Sequence, residues 1–328
     1  MIKVGIWGCG GISPMHRRAY QALEEKGVDV KVVALCDINP EAFNTEKKIN
    51  ISGDNDKPLA KIDNCYTNAD EMFEKEDLDM VDICLPVFLH KDATIKALKN
   101  NVNVLVEKPM AVSTDDCREM IEAEKNSKAR MMVAQCVRFD AASQYLKEVI
   151  NQNKFGKLIS ADFSRVSPLP LWRFEKGKEY TKRDDGVILD MHLHDVDLVN
   201  YLFGVPEKIY SSAQKNFTFC DSVSTIFKYK NGVVNIRGDW GFPQSYSFAA
   251  DWRVNFENAT VVCDKNGIVT VYDDEKSELV IDTHVDFFEE EIRYFVEMLI
   301  SNSENIKNPP ESTLKSMELI EEIERLCK

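Results

Sequence analysis

The chain has 328 residues, 44% of them hydrophobic, with 41 Lys and Arg against 55 Asp and Glu and a formal net charge of −14. That length is enough for two domains with separate cores, and the composition is that of a globular protein, not of a low-complexity or fibrous one. The acidic balance repels a phosphate backbone over most of the surface and argues against nucleic acid as a partner.

The opening segment, Ile2-Lys3-Val4-Gly5-Ile6-Trp7, reads as a buried strand and runs directly into Gly8-Cys9-Gly10-Gly11-Ile12-Ser13. A helix is predicted over Ser13–Lys26. A glycine turn between a first strand and a first helix lets the backbone approach a dinucleotide pyrophosphate, which the helix N-terminus then attracts with its free N–H groups and dipole. Gly8, Gly10, Gly11 and Ile12 are the candidate residues of this turn. The next strand, Val30–Cys36, ends in Asp37, where a carboxylate would hold the ribose hydroxyls of NAD. With no Arg following Asp37, a 2′-phosphate would meet a like charge, so NAD is expected, with NADP as the alternative that Lys47 and Lys48 could favour.

Further strands are predicted at Asn64–Tyr66, Met80–Leu85, Val102–Val106 and Arg130–Gln135. Helices are predicted at Pro40–Lys48, Ala69–Lys75, Lys91–Asn100, Ser113–Ser127 (Ser113 as N-cap) and Ala141–Asn151. Apolar strands without polar alternation, spaced by helices, indicate a parallel sheet covered on both faces, whose ligands bind beyond the carboxyl ends of the strands. Glu107-Lys108-Pro109 stands at such an end, and Pro109 turns the chain out of the ladder there.

After residue 150 the pattern changes. Val223, Thr225, Phe227 and Tyr229 alternate on one strand, Val234, Ile236, Gly238 and Trp240 on the next, and Asn231-Gly232 between them signals a hairpin. Other strands are predicted at Leu158–Val166, Ile209–Phe217, Trp252–Phe256, Thr260–Cys263, Ile268–Tyr272 and Leu279–Ile281, and helices at Phe287–Ile300 and Leu314–Leu326. A helical period through Leu189, Leu193 and Val196 places Asp190 and His194 on one face, with His192 directed elsewhere and Asp197 within reach of His194. Two histidines at i and i+2 diverge on a helix, so no metal site is expected.

The nine cysteines, at 9, 36, 65, 84, 117, 136, 220, 263 and 327, are odd in number and lack metal-ligand spacing, as fits reduced thiols. Neither a signal peptide nor a run of about 18 apolar residues is found, and a cytoplasmic protein without membrane association is expected.

The glycine turn, Asp37, Pro86-Val87-Phe88-Leu89-His90, Glu107-Lys108-Pro109 and the Asp190…His194 helix, in this order, resemble the glucose-fructose oxidoreductase / inositol dehydrogenase / rhizopine catabolism (Gfo/Idh/MocA) family over essentially the whole chain. The resemblance implies an α/β Rossmann nucleotide-binding domain, expected over residues 1–125, and an α+β domain with a large, mainly antiparallel open sheet over 126–328. It leaves room for the final helix to pack back on the first domain. It implies Lys108, Asp190 and His194 as the catalytic set, with Pro86, His90, Glu107 and Lys108 beside the cofactor. Trp172 and Arg173, on the loop before the Asp–His helix, are candidate substrate contacts. Two positions depart from the family pattern: Ser13 stands where Ala or Gly is usual, and His192 where Gly is more common, a change expected to bear on the pocket.

The implied activity is hydride transfer between a nicotinamide cofactor and a secondary carbinol or carbonyl of a sugar, polyol or sugar derivative. The alternative is a catalytically silent NAD(H)-binding sensor or scaffold. An unperturbed imidazole titrates near ~6.5 and an unperturbed lysine near ~10.4, so His194 is expected as general base, with Lys108 orienting the hydroxyl and Asp190 tuning the pair. The open sheet predicts a homodimer or homotetramer.

Overall fold

A computed structural model of the chain describes residues 1–44, 58–171, 186–281 and 286–328. In chain order the first elements are β1 (Ile2–Trp7), α1 (Ser13–Glu25), β2 (Val30–Cys36), β3 (Asn64–Tyr66), α2 (Ala69–Lys75), β4 (Met80–Ile83), α3 (His90–Lys99) and β5 (Asn103–Glu107). Next come α4 (Thr114–Lys125), β6 (Met131–Ala134), α5 (Ala141–Asn151), β7 (Leu158–Pro168), α6 (Leu193–Phe203), β8 (Lys208–Gln214), β9 (Ser222–Tyr229) and β10 (Gly232–Phe242). The chain closes with β11 (Ala249–Phe256), β12 (Thr260–Cys263), β13 (Val269–Tyr272), β14 (Ser277–Ile281), α7 (Phe287–Ser301) and α8 (Pro310–Leu326).

The described residues form two units, Met1–Phe139 with Asp286–Leu314 and Asp140–Val285 with Lys315–Lys328. The first unit therefore runs past residue 125, because β6 completes its sheet, and it also takes in α7, which sequence order alone assigns to the second domain.

The first sheet has the order β3-β2-β1-β4-β5-β6 with every pair parallel. Every residue of β4 and β6 is buried, as a sheet covered on both faces requires. Strand order reverses between β1 and β4, which makes the carboxyl ends of these strands the crevice of the sheet. Ser113 caps α4 as expected, accepting the Asp116 N–H at 3.2 Å and donating its hydroxyl to Asp116 at 2.8 Å. On α7, Phe288, Ile292 and Phe295 lie in one core with Val4, Ile6, Tyr20 and Leu23.

The second sheet has the order β14-β13-β12-β11-β7-β10-β9-β8, antiparallel except where β7 and β10 run parallel. The hairpin closes with Tyr229 opposite Gly232, and Val223, Thr225, Phe227, Val234, Ile236, Gly238 and Trp240 face inward.

Several boundaries differ from expectation for local reasons. The predicted strand to Phe217 ends at Gln214, because the Asp221 carboxylate captures the backbone N–H groups of Asn216, Phe217 and Thr218 and bends the chain out of the ladder. The helix predicted from Pro40 is described only as one 3₁₀ turn, Pro40–Phe43, capped by Asn39; residues 45–48 lie outside the described residues. No described helix is long and apolar enough to cross a membrane.

Candidate active site

In the first unit the glycine turn leaves β1 at the crevice. Gly8 has φ +100°, and a Cβ there would lie 2.6 Å from the Cys84 carbonyl oxygen, so both conformation and space require glycine. At Gly10 the opposite holds: a Cβ would meet nothing within 4 Å, leaving open space over the turn. The helix that follows begins at Ser13 with no side-chain cap, no acidic residue in its first turn and Pro14 near its start. An uncapped helix start under an open glycine turn suits a pyrophosphate. Ser13, in the position where Ala or Gly is usual, is 1% exposed and small enough to be enclosed there.

Asp37 is tied to this turn. Its Oδ2 accepts the Cys9 N–H at 2.7 Å and its Oδ1 accepts the Asn39 N–H at 2.8 Å. A carboxylate accepts about four hydrogen bonds, so acceptor capacity remains for a ribose diol. Burial, with Asp37 adding to it, pushes the Cys9 and Cys36 thiols up to about 12, so neither brings a thiolate to the phosphate site. Ile38, the next residue, is 91% exposed, an apolar side chain set beside the carboxylate where a base could lie. Its signal in the sequence is an apolar residue stranded between Asp37 and Asn39-Pro40.

Pro86 precedes the 3₁₀ turn Val87–Leu89, whose exposed side chains are Phe88, at 64%, and Leu89, at 39%. His90 is buried, and its two ring nitrogens lie 2.8 Å from the carbonyl oxygens of Leu85 and Pro109. Burial holds its pKa below the ordinary value, and the ring links the turn after β4 to the turn after β5.

Glu107 ends β5 and is 7% exposed. One carboxylate oxygen accepts the Lys108 N–H at 2.9 Å, and the other lies 2.9 Å from His16 Nε2. It too is directed into the protein, leaving Lys108, followed by a cis peptide bond to Pro109, as the half-buried member of the pair. These residues fit a dinucleotide: Gly8, Gly10, Gly11 and Ile12 would receive the pyrophosphate, Asp37 a ribose, and Phe88 and Lys108 stand at the ends of β4 and β5.

In the second unit Asp190 lies in a π-helical turn, Ile188–His192, and His194 in the first turn of α6. The expected single α-helix is therefore widened at the Asp190 end, a feature found often at functional sites. From 186 to 200 every residue is buried except Asp190 and His194. Four residues apart, they are the two side chains this segment offers to a ligand.

His192 lies elsewhere. It is fully buried, its Nε2 lies 3.0 Å from Thr225 Oγ1, and burial pulls its pKa down to about 3. A Cβ on Gly238 would stand 2.9 Å from His192 Cβ, so the sheet makes room for this ring. The expectation that His192 alters the pocket is corrected: it is a neutral core histidine that seats the helix on β9 and β10. Asp197 is buried and accepts the Ser316 hydroxyl of α8 at 2.6 Å, while Asn200 donates to the same hydroxyl at 3.0 Å. Arg165 of β7, which the sequence did not mark, donates two hydrogen bonds of 2.9 Å to Asp195, the residue after His194. Trp172 and Arg173 lie outside the described residues.

Fold and site together define a dinucleotide-binding α/β protein joined to an open-sheet domain. Residues 2–135 match the model of an oxidoreductase family with an NAD-binding Rossmann fold, and residues 143–268 match the GFO/IDH/MocA C-terminal domain. The chain belongs to the Gfo/Idh/MocA family of NAD-binding oxidoreductases. It is 31% identical over 149 residues to a 2,7-anhydro-N-acetylneuraminate hydratase of Mediterraneibacter gnavus, a match covering 44% of this chain and 38% of that protein. With the myo-inositol 2-dehydrogenase of Thermotoga maritima it shares 22% identity over 285 residues, 80% of this chain and 78% of that one. The match thus spans less than two fifths of the first relative and most of the second. Among solved structures, an aldose-aldose oxidoreductase from Caulobacter crescentus complexed with glycerol superposes with a TM-score of 0.83 at 17% identity, covering 99% of this chain and 97% of that one. A levoglucosan dehydrogenase in complex with NADH and levoglucosan gives 0.81 at 17%, covering 99% and 96%. At these identities the likeness is one of fold.

Proposed function

We propose that the protein is an NAD-dependent dehydrogenase that transfers hydride between the nicotinamide and a secondary carbinol or carbonyl of a sugar, polyol or sugar derivative. The observation that carries the reading is the selective exposure of Asp190 and His194 in an otherwise buried segment. A purely structural helix would not spend a carboxylate and an imidazole there. Relatives named as sugar and polyol dehydrogenases support the substrate class.

NAD supplies the hydride acceptor when bound, and the protein supplies geometry and proton handling. In the oxidative direction the carbinol carbon gives up its hydride, and the hydroxyl proton passes to His194 Nε2, since Nδ1 is enclosed, as the C–O bond becomes a carbonyl. His194 acts as general base, imidazole being the side chain suited to taking up and releasing a proton near neutral pH. Lys108 donates a hydrogen bond to the substrate oxygen, fixing it and stabilising the charge that develops on it as the proton leaves. Asp190 orients the imidazole. Oligomerisation through the outer face of the second sheet and residence in a reducing compartment complete the proposal; all nine cysteines are free thiols.

The test is a titration with NAD followed by a sugar and polyol panel read at the NADH absorbance, in wild type, Lys108→Ala, His194→Ala and the double variant. Turnover on one substrate class, lost in each single variant and no worse in the double, supports one shared step. Nucleotide binding without turnover on any member of the panel would favour a sensor.

A further inference from the structure

Beneath the glycine turn lies a buried group of charges drawn from four elements. His16, in the first turn of α1, is fully buried. Its Nδ1 lies 2.8 Å from Asp82 Oδ2 on β4, and its Nε2 lies 2.9 Å from Glu107 Oε1 at the end of β5. Cys84 donates its thiol to the other Asp82 oxygen at 3.5 Å, and Phe288 of α7 covers the imidazole at a centroid distance of 5.6 Å. Tyr20 of α1 and Glu291 of α7 are buried nearby. Both ring nitrogens face carboxyl oxygens, an arrangement that the doubly protonated ring satisfies with both carboxyl groups ionised.

We propose that His16 is a positioning residue for Lys108: its imidazolium, held by Asp82 on one side, grips Glu107, whose second oxygen receives the Lys108 backbone N–H at 2.9 Å. The proposal rests on Lys108 being the catalytic lysine and explains how its backbone is held. Since His16 is the fourth residue of the helix that follows the glycine turn, one side-chain chain joins the helix start that would receive a pyrophosphate to the mount of the lysine. Without the imidazolium, Asp82 and Glu107 would be two buried carboxylates with less to hold them, and Glu107 would be free to leave the amide.

The alternative for these side chains is a metal site, since His16, Asp82 and Cys84 place ligand atoms within 4.8 Å of one another. The 2.8 Å between Nδ1 and Oδ2 is a hydrogen-bond distance. Two ligands on a tetrahedral zinc with bonds of about 2.0–2.1 Å stand farther apart than that.

The test uses the full chain and needs no substrate. Trace acetylation with acetic anhydride across a pH series, with peptide mass analysis, reads the reactivity of the Lys108 amine in wild type, His16→Gln, Glu107→Gln and Met120→Ala. Met120 is fully buried in α4 and supplies a destabilised control away from the network. In His16→Gln and Glu107→Gln the Lys108 curve is expected to move by about threefold or more relative to the exposed Lys265, with Met120→Ala superposing on wild type. Superposition of all four curves would overturn the proposal, as would one equivalent of zinc in the purified protein lost in Cys84→Ser. If both network variants fail to fold, amide exchange in the wild type decides: slow exchange at Lys108 N–H is expected, and fast exchange overturns the proposal. Once a substrate is known, His16→Gln should lower kcat about tenfold with KM for NAD unchanged. A normal kcat in His16→Gln beside an inactive Lys108→Ala would sink the positioning role alone, whereas a fully active Lys108→Ala would sink the catalytic reading itself.

Discussion

Arg165 and Asp195 meet in a two-bond ion pair at the start of α6, with both N···O distances at 2.9 Å and side-chain exposures of 12% and 5%. Because Asp195 follows His194 directly, this pair fixes the turn of helix from which the proposed base projects. Removing one member of a buried pair leaves the other charge uncompensated. Arg165→Met should therefore cost about 3–5 kcal/mol in urea denaturation, and Arg165→Met with Asp195→Leu should recover part of that. A loss near zero in the single variant would show that the pair is solvated in solution.

The glycine turn separates a folding requirement from a binding requirement. At Gly8 a methyl group meets backbone at 2.6 Å and the φ of +100° is unfavourable for L-residues, so Gly8→Ala should destabilise the protein by more than about 2 kcal/mol. At Gly10 a methyl group meets no protein atom within 4 Å. Gly10→Ala should thus keep its stability within about 0.5 kcal/mol and still weaken NAD by about tenfold, because the methyl occupies the cradle. Thermal unfolding and NAD titration on the two variants check the contrast, and equal behaviour would contradict it.

Asp37 holds the Cys9 N–H and, on this reading, a ribose diol. Asp37→Asn removes the charge and should weaken NAD by roughly 1.5–3 kcal/mol, the range of a charge-assisted hydrogen bond. The NADP to NAD affinity ratio should rise in the same variant, as the like charge facing a 2′-phosphate disappears. An unchanged ratio by calorimetry would place the ribose elsewhere.

Stability should carry the signature of His16. Burial by itself would drive this ring neutral, but the Asp82 carboxylate and its hydrogen bond outweigh that cost and hold the pKa well above 6.5. Below the unfolded value near ~6.5 both states carry the proton and the contribution is fully present. Above it the folded state still holds a proton that the unfolded chain has released, so stability falls by about 1.4 kcal/mol per pH unit until the folded pKa is passed. Urea denaturation between pH 6 and 9 should show this component in wild type and not in His16→Gln; identical slopes would mean that His16 is neutral in the fold.

The outer face of the second sheet pairs Tyr210 with Ile226 in register across β8 and β9, at 54% and 41% exposure. Two apolar neighbours on a solvent-facing sheet suit a second copy of the chain. Tyr210→Glu with Ile226→Glu should convert a dimer or tetramer to monomer in light scattering with little loss of Tm. A monomeric wild type would remove the basis for this prediction.

The sequence by itself determined whatever depends on neighbours a few residues away. The parallel strands, the glycine turn with Asp37 at the next strand end, the Ser113 cap and the Asn231-Gly232 hairpin follow from backbone hydrogen bonding and side-chain periodicity, which act over single turns and strand pairs. That Asp190 and His194 share a face apart from the buried stripe followed for the same reason, since they stand four apart. Tertiary structure alone decided which distant side chains share a buried charge. His16 lies 66 residues from Asp82 and 91 from Glu107, and Arg165 lies 30 from Asp195, with no periodicity linking them. Placing α7 in the first unit, and His192 against Gly238 instead of in a pocket, likewise required knowing which surfaces pack together. Burial sets the electrostatics of such groups, and burial is a property of the assembled core, not of any one segment.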